Sequence, residues 1–64
     1  MTAVIVEDEI QAGKRLERLL SQNNFVVLTI VYSVKTAVRW FAENEHPDFV
    51  FMDIKLRDGL LQNI

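Results

Sequence analysis

A chain of 64 residues has room for one small domain, and a domain of about 60 residues buries only about 60% of its unfolded surface, so it is marginal unless stapled or oligomeric. Half of the residues are apolar and a quarter charged, which marks a globular rather than a disordered chain. The lack of cysteine excludes disulfides and thiolate metal sites and fits a cytoplasmic protein, while a net charge of −2 without a basic block gives no footing for nucleic acid on this segment.

The N-terminus runs directly into Ala3–Val6, with no positive flank or small-residue cleavage site, so no secretory signal is expected. That short, wholly apolar run reads as a strand buried on both faces. The acids Glu7, Asp8 and Glu9 follow, and negative charge suits a helix start. From Glu9 to Gln22 the residues Ile10, Gly13, Leu16, Leu19 and Leu20 recur at helical spacing and predict a buried stripe. Gln11, Lys14, Arg15, Glu17 and Arg18 take the other face. Asn23-Asn24 is a stop signal, because asparagine tolerates the left-handed conformation that ends helices.

Phe25 to Tyr32 is rich in β-branched residues and predicts a second strand. The longest apolar run, Phe25 to Val34, is interrupted by Thr29 and Ser33 and falls far short of the ~20 residues of a membrane span. Ser33 can cap a second helix, in which Val34, Ala37, Val38, Phe41 and Trp40 form the buried stripe. His46-Pro47-Asp48 ends it, since the residue before proline avoids helical geometry. Phe49–Met52 predicts a third strand, with Phe49 and Phe51 assigned to opposite faces, so that one helix layer would not cover both. A turn at Asp58-Gly59 and a short apolar stretch, Leu60-Leu61, complete the chain.

The order strand, helix, strand, helix, strand predicts an α/β fold: a three-layer β-α-β-α-β unit on a parallel sheet with right-handed crossovers and strand order 2-1-3. The two helices are then expected on opposite faces. Parallel strands bring the carboxyl ends of the first and third to the same edge, where open α/β sheets place their ligands. Glu7 and Asp8 follow one of these strands and Asp53 the other. Taken alone, Glu7-Asp8 is a charged helix start and Asp53 a solvated loop residue. Taken together they form an oxygen-rich pocket of the kind that holds Mg²⁺ beside phosphate. Like charges brought together raise one another's pKa; with Mg²⁺ bound, Asp53 can stay ionised and act as a nucleophile toward phosphorus. The sole histidine, His46, lies in a loop with no accompanying nucleophile motif and reads as solvated. Trp40 and Phe41 read as packing residues, and Lys14, Arg15 and Arg18 as a solvated helix face.

The segments VIVEDE and PDFVFMDIKLRDG, separated by two helical stretches, resemble the receiver domain of bacterial two-component response regulators. The resemblance covers nearly the whole chain, and its specific part is the spacing between the acidic pair and the strand-end aspartate. It implies a partial flavodoxin-like fold, a family that the strand order 2-1-3-4-5 describes. It implies that Asp53 is the phosphoacceptor, that Asp8 binds Mg²⁺ directly, that Glu7 acts through a water, and that the main-chain carbonyl of Lys55 completes the metal site. A sensor histidine kinase would be the phosphodonor, and the intact parent a transcription regulator rather than an enzyme. The stretch from Ser33 to Leu60 is closer to regulators with a LytTR-type output domain. In the receiver family the helix that matches the one carrying Lys14, Arg15 and Arg18 often contacts the kinase, which implies a secondary docking role for that face.

The departures are specific. Arg57 stands where many receivers have proline, and Asp58-Gly59 comes early. Residues 1–64 match the N-terminal half of a receiver; its fourth and fifth strands, with their serine or threonine and their lysine, have no counterpart, and Lys55 matches a different position. Two other readings stand beside this one. The chain can be an association module without phosphotransfer. Alternatively it can be a phosphatase of the haloacid dehalogenase type, although Lys55 occupies the place of that family's second aspartate. Without a fourth strand, Phe49–Met52 is expected at the sheet's edge, which invites a homo-oligomer through that strand.

Overall fold

A computed structural model describes residues 1–53 of the chain. Its elements are β1 (Thr2–Val6), α1 (Ile10–Gln22), β2 (Val26–Val31), α2 (Val34–Glu43) and β3 (Phe49–Met52). The three strands form one parallel sheet in the order β2-β1-β3, as the alternation predicts. The expected turn at Asp58-Gly59 and the Leu60-Leu61 stretch lie outside the described residues. No helix among the described residues is long and apolar enough to cross a membrane.

β1 is the axis of the fold. Ala3, Val4, Ile5 and Val6 are all fully buried, because the strand has a neighbour on each side and a helix layer on each face. Period-two alternation divides the core between those layers. Ala3 and Ile5 meet Leu20 and Leu16 of α1. Val4 and Val6 meet Ala37, Val34, Trp40 and Phe41 of α2. The register with β2 slips between Ala3 and Val4, so that Leu28 is an extra residue on β2. That bulge advances the alternation by one, which is why Val27 and Ile30, three positions apart, both pack on the α1 side.

The helices begin and end through local chemistry. The Ser33 hydroxyl accepts from the Thr36 N–H at 3.1 Å and caps α2 as expected. Glu9 is the N-cap of α1 and makes no side-chain cap bond, so the helix starts at Ile10 rather than at Glu9. At the other end the Asn23 N–H donates to the Leu20 carbonyl at 3.0 Å, and Asn24 adopts a φ of 68°. Gly13 allows α1 to lie close to the sheet. A Cβ there would come within 3.1 Å of Ile30 Cγ2, a methyl on a β-branched side chain with little freedom to turn away.

Four packing expectations are corrected. Ile10 and Leu19 are 55% exposed, not part of the buried stripe. α1 rests on β1 and β2, so only its Gly13–Leu16–Leu20 line faces the sheet, and residues to either side overhang it. Val38 is 61% exposed for a related reason: it borders an apolar groove of about 300 Å³ between α2 and β3, together with Val34, Ala37, Phe41, Val6 and Met52. Phe49 and Phe51 share one face rather than opposite faces, as residues two apart on a strand must. Both rings stand edge-on to Phe25, at 5.5 and 5.7 Å. Phe25 precedes β2, on the far side of β1 from β3. The small Ala3 side chain, paired with both Val27 and Phe49, leaves room for this aromatic bridge across the central strand.

At the opposite end of the sheet, Thr2 and Asp48 lock β1 to β3. The Asp48 carboxylate accepts from the Thr2 N–H at 2.8 Å and from its hydroxyl at 3.2 Å, while the Asp48 N–H donates to the Thr2 Oγ1 at 3.0 Å. The backbone N–H of Thr2 is the main cause that holds the Asp48 pKa below its ordinary 3.8, with the hydroxyl adding to it. A carboxyl group depressed on folding contributes stability above its unfolded pKa and loses it as pH falls through the folded value. NMR titration should therefore place Asp48 below 3.8, and Thr2→Ala should return it only part of the way, because the backbone donor remains. A full return would assign the shift to the hydroxyl alone.

Candidate metal centre

The carboxyl ends of β1 and β3 meet at one edge of the sheet. Val6 pairs with Met52, so the next residues, Glu7 and Asp53, are neighbours. Backbone bonds carry the ladder one residue beyond each strand. The Glu7 N–H donates to the Val31 carbonyl of β2 at 2.9 Å, and the Asp53 N–H to the Val6 carbonyl at 3.0 Å. The two acids thus hang from fixed backbone rather than from mobile loops. Asp8 follows Glu7 in the turn into α1 and completes the group.

Glu7, Asp8 and Asp53, all half-buried, each offer a carboxylate oxygen within 4.8 Å of the others. Ligands 2.0–2.1 Å from an octahedral Mg²⁺ lie about 2.9 Å apart when adjacent and about 4.2 Å apart when opposite. The 4.8 Å within which the three oxygens lie is of the same order as that spacing. The donor set also fits the ion, being hard, anionic and all oxygen, with half-exposed groups that leave positions for water or phosphate.

Glu7 has a second task. Its Oε2 accepts the Glu9 N–H at 3.0 Å. Since Glu9 makes no side-chain cap bond, Glu7 caps the turn into α1 from two residues upstream, and that bond restrains its carboxylate at the sheet edge. Sequence reading did not find this role; an acid two residues before a helix N-cap is the signal that could have shown it. Beside the acids lies a hollow of about 260 Å³, where Glu7 and Asp53 stand over an apolar floor that includes Ile5, Leu16 and Phe51.

Of the expected site residues, Glu7, Asp8 and Asp53 come together, and Lys55 lies outside the described residues. His46 is exposed, with its ring 6.0 Å from that of Phe41. Trp40 and Phe41 pack edge-to-face at 5.2 Å against the α2 side of the core. Comparison with family models, with curated proteins and with solved structures finds no match for this chain.

Mg²⁺ titration followed by amide NMR should move the Glu7–Glu9 and Asp53 signals together. Asp53→Asn should weaken the response by roughly tenfold or more, equivalent to about 1.4 kcal/mol or more. Equal responses in the two proteins would show that Asp53 is not a ligand.

Proposed function

We propose that this chain is a phosphoacceptor module, phosphorylated on Asp53 in a Mg²⁺-dependent reaction, in the manner of the receiver domains that its motifs resemble. The observation that carries the reading is the convergence of Glu7, Asp8 and Asp53 at the carboxyl edge of a parallel sheet in the order β2-β1-β3. The parallel pairing of β1 with β3 sets Glu7 beside Asp53, and Asp8 joins them from the turn into α1.

Each residue has a distinct part. An Asp53 carboxylate oxygen attacks phosphorus. The new O–P bond forms as the bond from phosphorus to the leaving group breaks, and the leaving group keeps the electron pair; a departing imidazole nitrogen takes a proton from water, whereas a departing carboxylate stays ionised. The donor is a phosphohistidine, which releases imidazole, or a small acyl phosphate, which releases a carboxylate. The product at Asp53 is an acyl phosphate, a known form of covalent carboxylate chemistry. Asp8 and Glu7 would hold Mg²⁺, with Glu7 steadied by the Glu9 N–H. When bound, the ion supplies the charge that offsets repulsion between the carboxylates and the phosphoryl oxygens. The backbone bond from Asp53 to Val6 fixes the acceptor in depth, so the chain's contribution is positioning rather than turnover.

On this reading the partner in phosphotransfer is a sensor histidine kinase, the compartment is the bacterial cytoplasm, and the signal leads to transcription through an output module. A second reading, association without phosphotransfer, is favoured by the apolar surface of β3, where Phe49, Val50 and Met52 are 43–44% exposed.

Incubation with Mg²⁺ and acetyl phosphate, followed by intact mass measurement, should show the addition of one phosphoryl group. The adduct should be absent in Asp53→Asn, absent with EDTA, and released by hydroxylamine as an acyl phosphate is. No adduct in the wild-type chain, or an equal adduct in Asp53→Asn, would overturn the proposal.

A further inference from the structure

The lock between Thr2 and Asp48 and the acidic site stand at opposite ends of one ladder. Between them β1 and β3 pair in four rungs, from Ala3 with Phe49 to Val6 with Met52, and no slip in register interrupts them. One residue before the first rung are Thr2 and Asp48, joined by hydrogen bonds of 2.8, 3.2 and 3.0 Å. One residue after the last are Glu7 and Asp53, and the Asp53 N–H still bonds to the Val6 carbonyl. The spans are equal: five residues separate Thr2 from Glu7, and five separate Asp48 from Asp53. A register set at the lock is therefore delivered unchanged to the site, about 17 Å away at about 3.3 Å per residue. On the other side of β1 the extra residue of β2 puts the two ends of that ladder out of step.

The rungs themselves specify the β1–β3 register weakly. All eight of their side chains are apolar. Phe49 and Phe51 repeat on one face of β3 and Val50 and Met52 on the other, so a slide of two residues keeps both faces apolar. Such a slide moves Asp53 about 6.6 Å along the sheet, farther than the 4.8 Å within which the three carboxylate oxygens lie. In one direction Asp53 itself opposes the slide, because it would come opposite the fully buried Ile5. In the other direction Asp48 opposes it, because it would leave Thr2 and come opposite the fully buried Val4. The Thr2 hydroxyl is matched to this task. It donates to the Asp48 carboxylate and accepts from the Asp48 N–H, an exchange that needs the two residues face to face.

We infer that Thr2 and Asp48 are positioning residues for the acidic site: their lock fixes β3 on β1 and so holds the Asp53 carboxylate beside those of Glu7 and Asp8. This role rests on the metal-centre reading of those three acids and extends it to a pair at the far end of the sheet. By linkage the dependence runs both ways. A cation held across Glu7, Asp8 and Asp53 favours the docked strand from one end, as the lock does from the other.

Amide hydrogen exchange separates this role from a contribution to overall stability. The Asp53 N–H is bonded across β1 and β3, and the Glu7 N–H across β1 and β2. In Asp48→Ala, without metal, the Asp53 N–H should exchange at least about threefold faster than in the wild type, with the Glu7 N–H at its wild-type rate. Asp48→Asn, whose amide oxygen still accepts from Thr2, should fall between. Equal acceleration at both amides, or none at Asp53, overturns the inference. If circular dichroism shows Asp48→Ala unfolded, Thr2→Val, which removes the hydroxyl alone, is judged at the same two amides by the same outcomes. Saturating Mg²⁺ should then slow Asp53 exchange in the variant toward the wild-type rate; a cation that binds the variant without slowing it overturns the coupling. A wild-type chain that takes up no Mg²⁺ overturns the metal-centre reading alone, and the metal-free comparison of the two amides still decides whether Thr2 and Asp48 position Asp53.

Discussion

The burial of one short strand governs this molecule. Ala3–Val6 is the only element with a strand on each side and a helix layer above and below among the described residues. Both core clusters are built on its residues. Removing a large aliphatic group from such a position leaves a cavity that neighbours fill incompletely, typically costing 2–5 kcal/mol for an isoleucine or leucine cut back to alanine. In a domain whose total stability is of that order, Val4, Ile5 and Val6 are not individually dispensable. The helices are held less firmly: α1 buries Gly13 and Leu20, and α2 buries Ala37 alone.

The acidic site is a by-product of the same strand. Three carboxylates within 4.8 Å repel one another, and no local structure would gather them unaided. Two of them are one residue past paired strands, so the energy that holds them together comes from the apolar residues behind them. The site and the core are thus one arrangement seen from two ends. The Asp53 bond to Val6 continues the β1–β3 ladder, and the Glu7 bond to Val31 continues the β1–β2 ladder. The hydroxyl and carboxylate of Thr2 and Asp48 close the opposite end in the same manner.

Much of this was legible in the sequence, for identifiable reasons. A wholly apolar four-residue run has few solutions other than a central strand, and the alternation of periods leaves few topologies. Helix boundaries followed from Ser33, Asn23 and Asn24, whose effects are local. The errors arose where tertiary geometry decides. Helical spacing identifies an apolar stripe but not how wide a strip of sheet lies beneath it, so Ile10, Leu19 and Val38 were assigned to a core that does not reach them. The faces of Phe49 and Phe51 were misassigned against the period-two rule that fixes them. The Leu28 bulge and the pairing of Thr2 with Asp48 carry no local signal. The acids of the site were legible because strand ends are; the capping bond from Glu7 to Glu9 was not, because it depends on the exact turn.

The aromatic bridge from Phe25 to Phe49 and Phe51 has a kinetic consequence. β2 reaches β1 across about two dozen residues, whereas β3 must return across 46, as the Thr2–Asp48 contact does. Doubling a loop adds only about 0.6 kcal/mol of closure entropy, yet contacts this distant in sequence are met late in a chain's search. The parallel β1–α1–β2 unit closes over the shorter stretch of chain. It already holds Phe25 against Ala3, so a ring stands ready on the far side of the central strand when Phe49 and Phe51 arrive. A side chain that belongs to the first half of the chain thus ties the last strand across the central one.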